Sequence, residues 1–124
     1  MKGLTVTDLA ITSRVHGDGI VVLTAVGEID LANCAGVDTA VSQAINRGRP
    51  LVLDLSGVTF LDSSGLRTVL TSQAAAARAN SPFFLVPSPI VRRVLELAGI
   101  NESELPTHSD VAHALDECGS SSGR

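Results

Sequence analysis

Two polar clusters interrupt an otherwise aliphatic chain. GEID at 27–30 follows the apolar run Ile20–Val26, and DSSGL at 62–66 follows Leu51–Leu55 and the segment SGVTFL at 56–61. A serine beside a carboxylate suggests two roles. The oxygens of Asp62 or Ser63 can receive free backbone N–H groups at a helix start. Alternatively, Ser63 is a nucleophile awaiting a base. The nucleophile fares poorly, because the Gly-x-Ser-x-Gly elbow is missing and none of His16, His108 and His113 is tied to Ser63 by spacing. His108 and His113 stand five apart, not the four that puts two metal ligands on one helical face. The phosphate-cradling patterns GxxxxGK[ST] and GxGxxG are absent. The helix start after Asp62 still favours an anion through its free N–H groups and dipole.

Those residues need elements to hold them. Leu9, Ile11, Ser13 and Val15 alternate with Ala10, Thr12 and Arg14, which predicts a half-buried strand. HGDG at 16–19 predicts a turn, and Ile20–Val26 a second strand, making a hairpin. Val37, Ala40, Val41, Ala44 and Ile45 recur at a helical period, capped by Asp30 or Asn33 and ended by Gly48 and Pro50. Leu51–Leu55 predicts a central strand. Leu66, Val69, Leu70, Gln73, Ala74 and Ala77 form a second helical stripe, broken at Asn80–Pro82. Phe83–Val86 predicts a further strand. Ser88 and Pro89 open a third helix with Ile90, Val94, Leu97 and Ala98 inward and Gly99 at its end. Glu104–Thr107 predicts a short extended piece. Ser109 then caps a last helix with Val111, Ala114, Leu115 and Cys118 inward.

After the hairpin, strands and helices alternate. The expectation is one α/β domain, a mixed and mostly parallel sheet of four to five strands covered by about four helices. The domain is placed at residues 1–118, with 119–124 a disordered polar tail. Val41, Ile45, Val52, Leu53, Leu55, Leu70, Val94 and Leu115 are expected to be buried. On a parallel sheet, Asp30, Asp62, Ser63, Ser64 and Gly65 share one exposed carboxyl edge.

Composition limits the function classes. The 124 residues are 44% hydrophobic but only 2% aromatic, so the core is aliphatic. A net charge of −4 disfavours general nucleic-acid binding and a polybasic membrane surface. Cys34 and Cys118 are too few for a disulfide scaffold and too far apart for a CxxC motif, and are expected to be reduced thiols. The N-terminus lacks a secretory apolar segment and no apolar run is long enough to span a bilayer, so a soluble cytoplasmic protein is expected.

VLDLSGVTFLDSSGL at 52–66 closely resembles the signature of STAS domains, in particular anti-sigma factor antagonists. GEID at 27–30 resembles that family's element after its second strand. SPIVRRVLELAGI at 88–100 is similar to its third helix and following turn. The resemblance covers roughly residues 9–118. It implies a binder that carries out no catalysis and holds no cofactor. Its partner would be an anti-sigma factor with serine kinase activity, and binding would release a sigma factor. The kinase would phosphorylate Ser63 and break the complex, and a phosphatase would restore it. Asp30 and Asp62 match acidic positions near that serine, and Ser64 and Gly65 complete the partner-binding motif. Asn33 and Cys34 are not family markers. Competing expectations are a STAS subunit of a lipid-transport assembly, a scaffold in a stress-sensing assembly, neither with a phosphorylation cycle of this kind, or an enzyme of unknown type, for which no residues argue.

Overall fold

The computed structural model describes residues 8–45 and 48–122, with side chains through Gly119. Four strands, β1 (Leu9–His16), β2 (Ile20–Ile29), β3 (Leu51–Leu61) and β4 (Phe83–Pro87), lie side by side in chain order. β1 and β2 form an antiparallel hairpin, and β2–β3 and β3–β4 are parallel. Gly17 and Gly19 make the hairpin turn with φ of 59° and 115°, a region that L side chains seldom enter.

Four helices complete the domain: α1 (Cys34–Ala44), α2 (Ser63–Arg78), α3 (Pro89–Leu97) and α4 (Val111–Ser122). Alternating side chains of the strands serve two apolar clusters. Leu23, Ala25, Ile29, Leu53, Leu55, Val58 and Leu85 pack with Val37 and Val41 of α1, Val69 of α2, and Val91 and Leu95 of α3. Val22, Val52, Phe84 and Val86 pack instead against Ala114 and Cys118 of α4. Val26 and Phe60, toward the carboxyl ends of β2 and β3, stay exposed.

β3 runs six residues beyond the expected Leu55. Its pairing with β2 slips between Thr24↔Asp54 and Val26↔Gly57, and again between Gly27↔Val58 and Glu28↔Phe60. Each slip inserts one extra residue in β3, so the strand bulges and continues where SGVTFL looked like a connection. A β-carbon at Gly57 would stand 3.0 Å from Val26 Cγ2, which is tight.

The expected fifth strand is one parallel bridge, Leu85↔Thr107. Pro106 has no N–H to extend a ladder, and Asn101 folds the preceding segment by accepting from Ser103 and Glu104 N–H groups. Val41, Val52, Leu53 and Leu55 are buried as expected. Ile45, Leu70, Val94 and Leu115 are only half-buried, packed at the margins of the two clusters. The inward face of α2 is rotated from the expected stripe and holds Gly65, Thr68, Val69, Ser72 and Ala76. Ser72 Oγ donates to the Thr68 carbonyl at 2.7 Å, so its hydroxyl is satisfied inside. α3 buries Val91 and Leu95, while Leu97 is 75% exposed and Ala98 also faces out. Leu97 lies two residues beyond Leu95, about 200° around the helix.

The helix ends also differ in part. Ser88 caps α3 through Val91 N–H, with Pro89 in the first position, as expected. α4 is capped by Asp110, whose carboxylate accepts from His113 N–H at 2.8 Å, and not by Ser109. α1 stops at Ala44 with Ile45 extended, ahead of Gly48. The boundary expected at Cys118 falls inside α4, which passes Gly119 and reaches Ser122. Residues 1–7 of the expected domain and 123–124 of the expected tail lie outside the described residues.

Candidate functional site

Ile29, the last residue of β2, pairs with Leu61, the last residue of β3. The two parallel strands therefore end level, and the loops after them leave the same edge. Asp62 N–H donates to the Ile29 carbonyl at 3.3 Å and continues the pairing one residue further. The GEID and DSSGL motifs meet there.

Asp62 holds the edge together. Its Oδ1 accepts from Gly65 N–H at 3.0 Å and caps α2, and its Oδ2 accepts from Leu31 N–H at 3.2 Å in the other loop. The Leu31 loop has its own ties. Asp30 Oδ1 accepts from Ala32 N–H, and the Asp30 carbonyl accepts from Asn33 and Cys34 N–H groups. Asn33, expected as a cap, occupies that backbone position but turns its side chain back. Its Oδ1 accepts from Asp30 N–H at 2.9 Å and its Nδ2 donates to the Glu28 carbonyl at 2.8 Å.

Gly65 lets α2 come close. A β-carbon there would stand 2.5 Å from Leu61 Cδ1 and 3.0 Å from the Ile29 carbonyl oxygen. The close approach sets the first turn of α2 on the sheet edge, with Ser63 exposed and Ser64 half-buried. Asp62 does the capping, so the hydroxyls of Ser63 and Ser64 make no hydrogen bond among the described residues.

The two serines open onto a groove of about 390 Å³ between α1 and α2, lined also by Leu31, Cys34, Asp38, Arg67, Thr68 and Thr71. Leu31 is 76% exposed beside it. Sequence reasoning brought Asp30, Asp62, Ser63, Ser64 and Gly65 to one exposed edge; the structure places them at one edge but exposes only Ser63, with Asp30, Asp62 and Ser64 half-buried and Gly65 buried under the close approach of α2. It missed Leu31, an apolar residue in a polar loop, and Arg67, whose signal was its position four after Ser63.

Among the described residues, no histidine lines the groove onto which Ser63 opens. His108 packs elsewhere, between Phe84 and His113, with ring centroids 5.3 Å apart on each side. Burial first, and His113 second, hold the His108 pKa below its ordinary value, against opposing effects of Glu117 and Glu102. Cys118 is buried between α4 and the sheet, and burial pushes its thiol up to about 11. Cys34 and Cys118 are not joined in a disulfide. Among the described residues no cluster of three or more His, Cys, Asp or Glu could hold a metal ion, and no helix is long and apolar enough to cross a membrane.

The STAS domain pattern matches residues 12–114. The anti-sigma-F factor antagonist RsfB of Mycobacterium tuberculosis is 29% identical over 87 residues, 69% of this chain and 71% of that protein. An anti-sigma F factor antagonist of Lysinibacillus sphaericus is 32% identical over 83 residues, 64% of this chain and 71% of that protein. The crystal structure of an anti-sigma factor antagonist from Mycobacterium paratuberculosis superposes with a TM-score of 0.78 at 28% identity, covering 89% of this chain and 93% of that one. With the match spanning both site motifs and all four strands but the first three residues of β1, the chain belongs to the STAS domain family.

Proposed function

We propose that this protein is an anti-sigma factor antagonist, switched off by phosphorylation of Ser63. Its partner is an anti-sigma factor with serine kinase activity, and it acts in the cytoplasm. Binding frees a sigma factor for transcription. The single observation that carries this reading is the division of labour at the start of α2. Asp62 caps the helix, and Ser63 keeps an exposed hydroxyl at a preformed edge. Asp30 and Asp62 of that edge are engaged with backbone N–H groups, and Leu31 offers an apolar contact.

The switch follows from charge. Ser63 Oγ takes the terminal phosphoryl group of ATP held by the kinase. The bond to the ADP oxygen breaks, and the hydroxyl proton is lost. A phosphoserine carries about −1.5 to −2 charges near neutral pH. The dipole of α2 tolerates that charge at its N-terminus, so the fold survives. A partner carboxylate ~6 Å away would be repelled by roughly 1.4 kcal/mol in water-like surroundings and roughly 5.5 kcal/mol at an effective dielectric of 20. Those energies correspond to about tenfold and several thousandfold in affinity. A phosphatase resets the cycle.

The test is incubation with the cognate kinase and ATP, then mass spectrometry and a binding titration. Ser63→Ala is expected to fold, bind the kinase and resist switching off. Ser63→Glu is expected to bind more weakly than wild type. Phosphate landing only on other residues would overturn the reading, as would phospho-Ser63 protein that binds as tightly as the unmodified form.

A further inference from the structure

Arg67 stands four residues after Ser63 on α2, and both line the groove between α1 and α2. Arg67 is the one cation among the groove's lining residues. It is exposed, and it makes no ion pair or side-chain hydrogen bond among the described residues, although Asp38 lines the same groove. Helical side chains lean toward the N-terminus, so a residue covers the turn before its own Cα. That direction, with the i, i+4 spacing and the shared groove, brings Arg67 within range of the turn that carries Ser63. An anion four residues N-terminal to a cation is also the favoured order for such a pair. A phosphate offers the planar guanidinium two oxygens at once.

We propose that Arg67 is the internal counter-ion of a phosphate on Ser63, a positioning residue that holds the phosphate against the groove. This rests on the phosphorylation proposed above and concerns the regulation of the same site. In the unmodified protein Arg67 is available to a partner. In the phosphorylated protein it is captured, and the pair closes over the groove beside Leu31 and Cys34. Phosphorylation then withdraws a cation from the partner's view as well as adding negative charge. Asp62 caps the same turn, and its negative charge makes a nearby cation the more valuable to the dianion.

The test places phosphoserine at position 63 of the full chain by genetic encoding, so it does not depend on any kinase. The second ionisation of the phosphate, near pH 6 for an ordinary phosphoserine, is followed by ³¹P NMR. The wild-type background is expected to ionise about 0.2–0.4 pH unit lower than Arg67→Gln. Arg67→Lys should recover part of that difference, because it keeps the charge but not the fork. Arg78→Gln, eleven residues further along α2 and roughly 16 Å away, should leave the titration unchanged. Arg67→Gln titrating like wild type would overturn the pair, and so would an equal shift from Arg78→Gln. A kinase that ignores Ser63 would overturn the switch while leaving this titration as it stands, so the two failures are distinct.

Discussion

The carboxylate of Asp62 accepts from the backbone N–H of Leu31 at 3.2 Å, across thirty-one positions of sequence. Its other oxygen caps α2. One side chain thus fixes the loop after β2 relative to the helix after β3. Asp62→Ala should cost about 1–2 kcal/mol in urea denaturation, the range for a lost helix cap. It should also speed hydrogen exchange at the Leu31 amide. Asp62→Asn keeps one acceptor oxygen and should lie between the two. An unchanged Leu31 exchange rate in Asp62→Ala would show that the tether does not order the loop.

Gly65 has a steric reason to remain glycine. Leu61 Cδ1 can swing away from an added methyl, but the Ile29 carbonyl oxygen, 3.0 Å from it, belongs to the strand backbone. Gly65→Ala should destabilise by about 1–3 kcal/mol, as overpacking does. Gly36→Ala on α1, where nothing lies within 4 Å, should instead stabilise by up to about 1 kcal/mol. Comparing the two denaturation midpoints checks the close approach of α2.

Leu31 is exposed beside Ser63, and Leu97 is equally exposed on α3. Replacing either with serine should leave thermal unfolding nearly unchanged. Only Leu31→Ser should weaken binding to the proposed anti-sigma kinase partner, by about tenfold, or ~1.4 kcal/mol. Equal losses for the two variants would place the docking surface away from the sheet edge.

Stability should depend on pH through His108. Its folded pKa is lowered, chiefly by burial, so the unfolded chain binds the proton more readily. The contribution is complete above the unfolded value near 6.5 and is lost as pH falls through the folded pKa. Denaturation midpoints should fall from pH 7 to pH 5, and His108→Gln should flatten that slope. The buried Nδ1 of His108 has no hydrogen-bond partner among the described residues, so no acceptor stabilises the protonated ring at that atom.

Much of this protein was legible from local chemistry. The β-branched run at Ile20–Val26, the compact Leu51–Leu55 and the Ser88–Pro89 start each carry their own conformational preference. The meeting of Asp30 and Asp62 followed from parallel strands alone. Illegible features were those decided by neighbours. The bulges of β3 depend on its register with β2, which periodicity does not encode. The alanine run of α2 is helical from any side, so it could not indicate that Thr68 and Ser72 turn inward. Asn33 looked like a cap by type, but its bonds to Asp30 and Glu28 require the folded loop. Leu31 carried no signal because apolar residues in loops are common.

The exposed Phe60, two residues before Asp62, also has an optical consequence. With neither tryptophan nor tyrosine in the chain, the protein is nearly dark to near-ultraviolet excitation. A tryptophan in place of Phe60 would be a solitary fluorophore at the sheet edge, half in water, with no tryptophan or tyrosine emission from the rest of this chain. Its emission would report the arrival and departure of a partner in real time, without a dye.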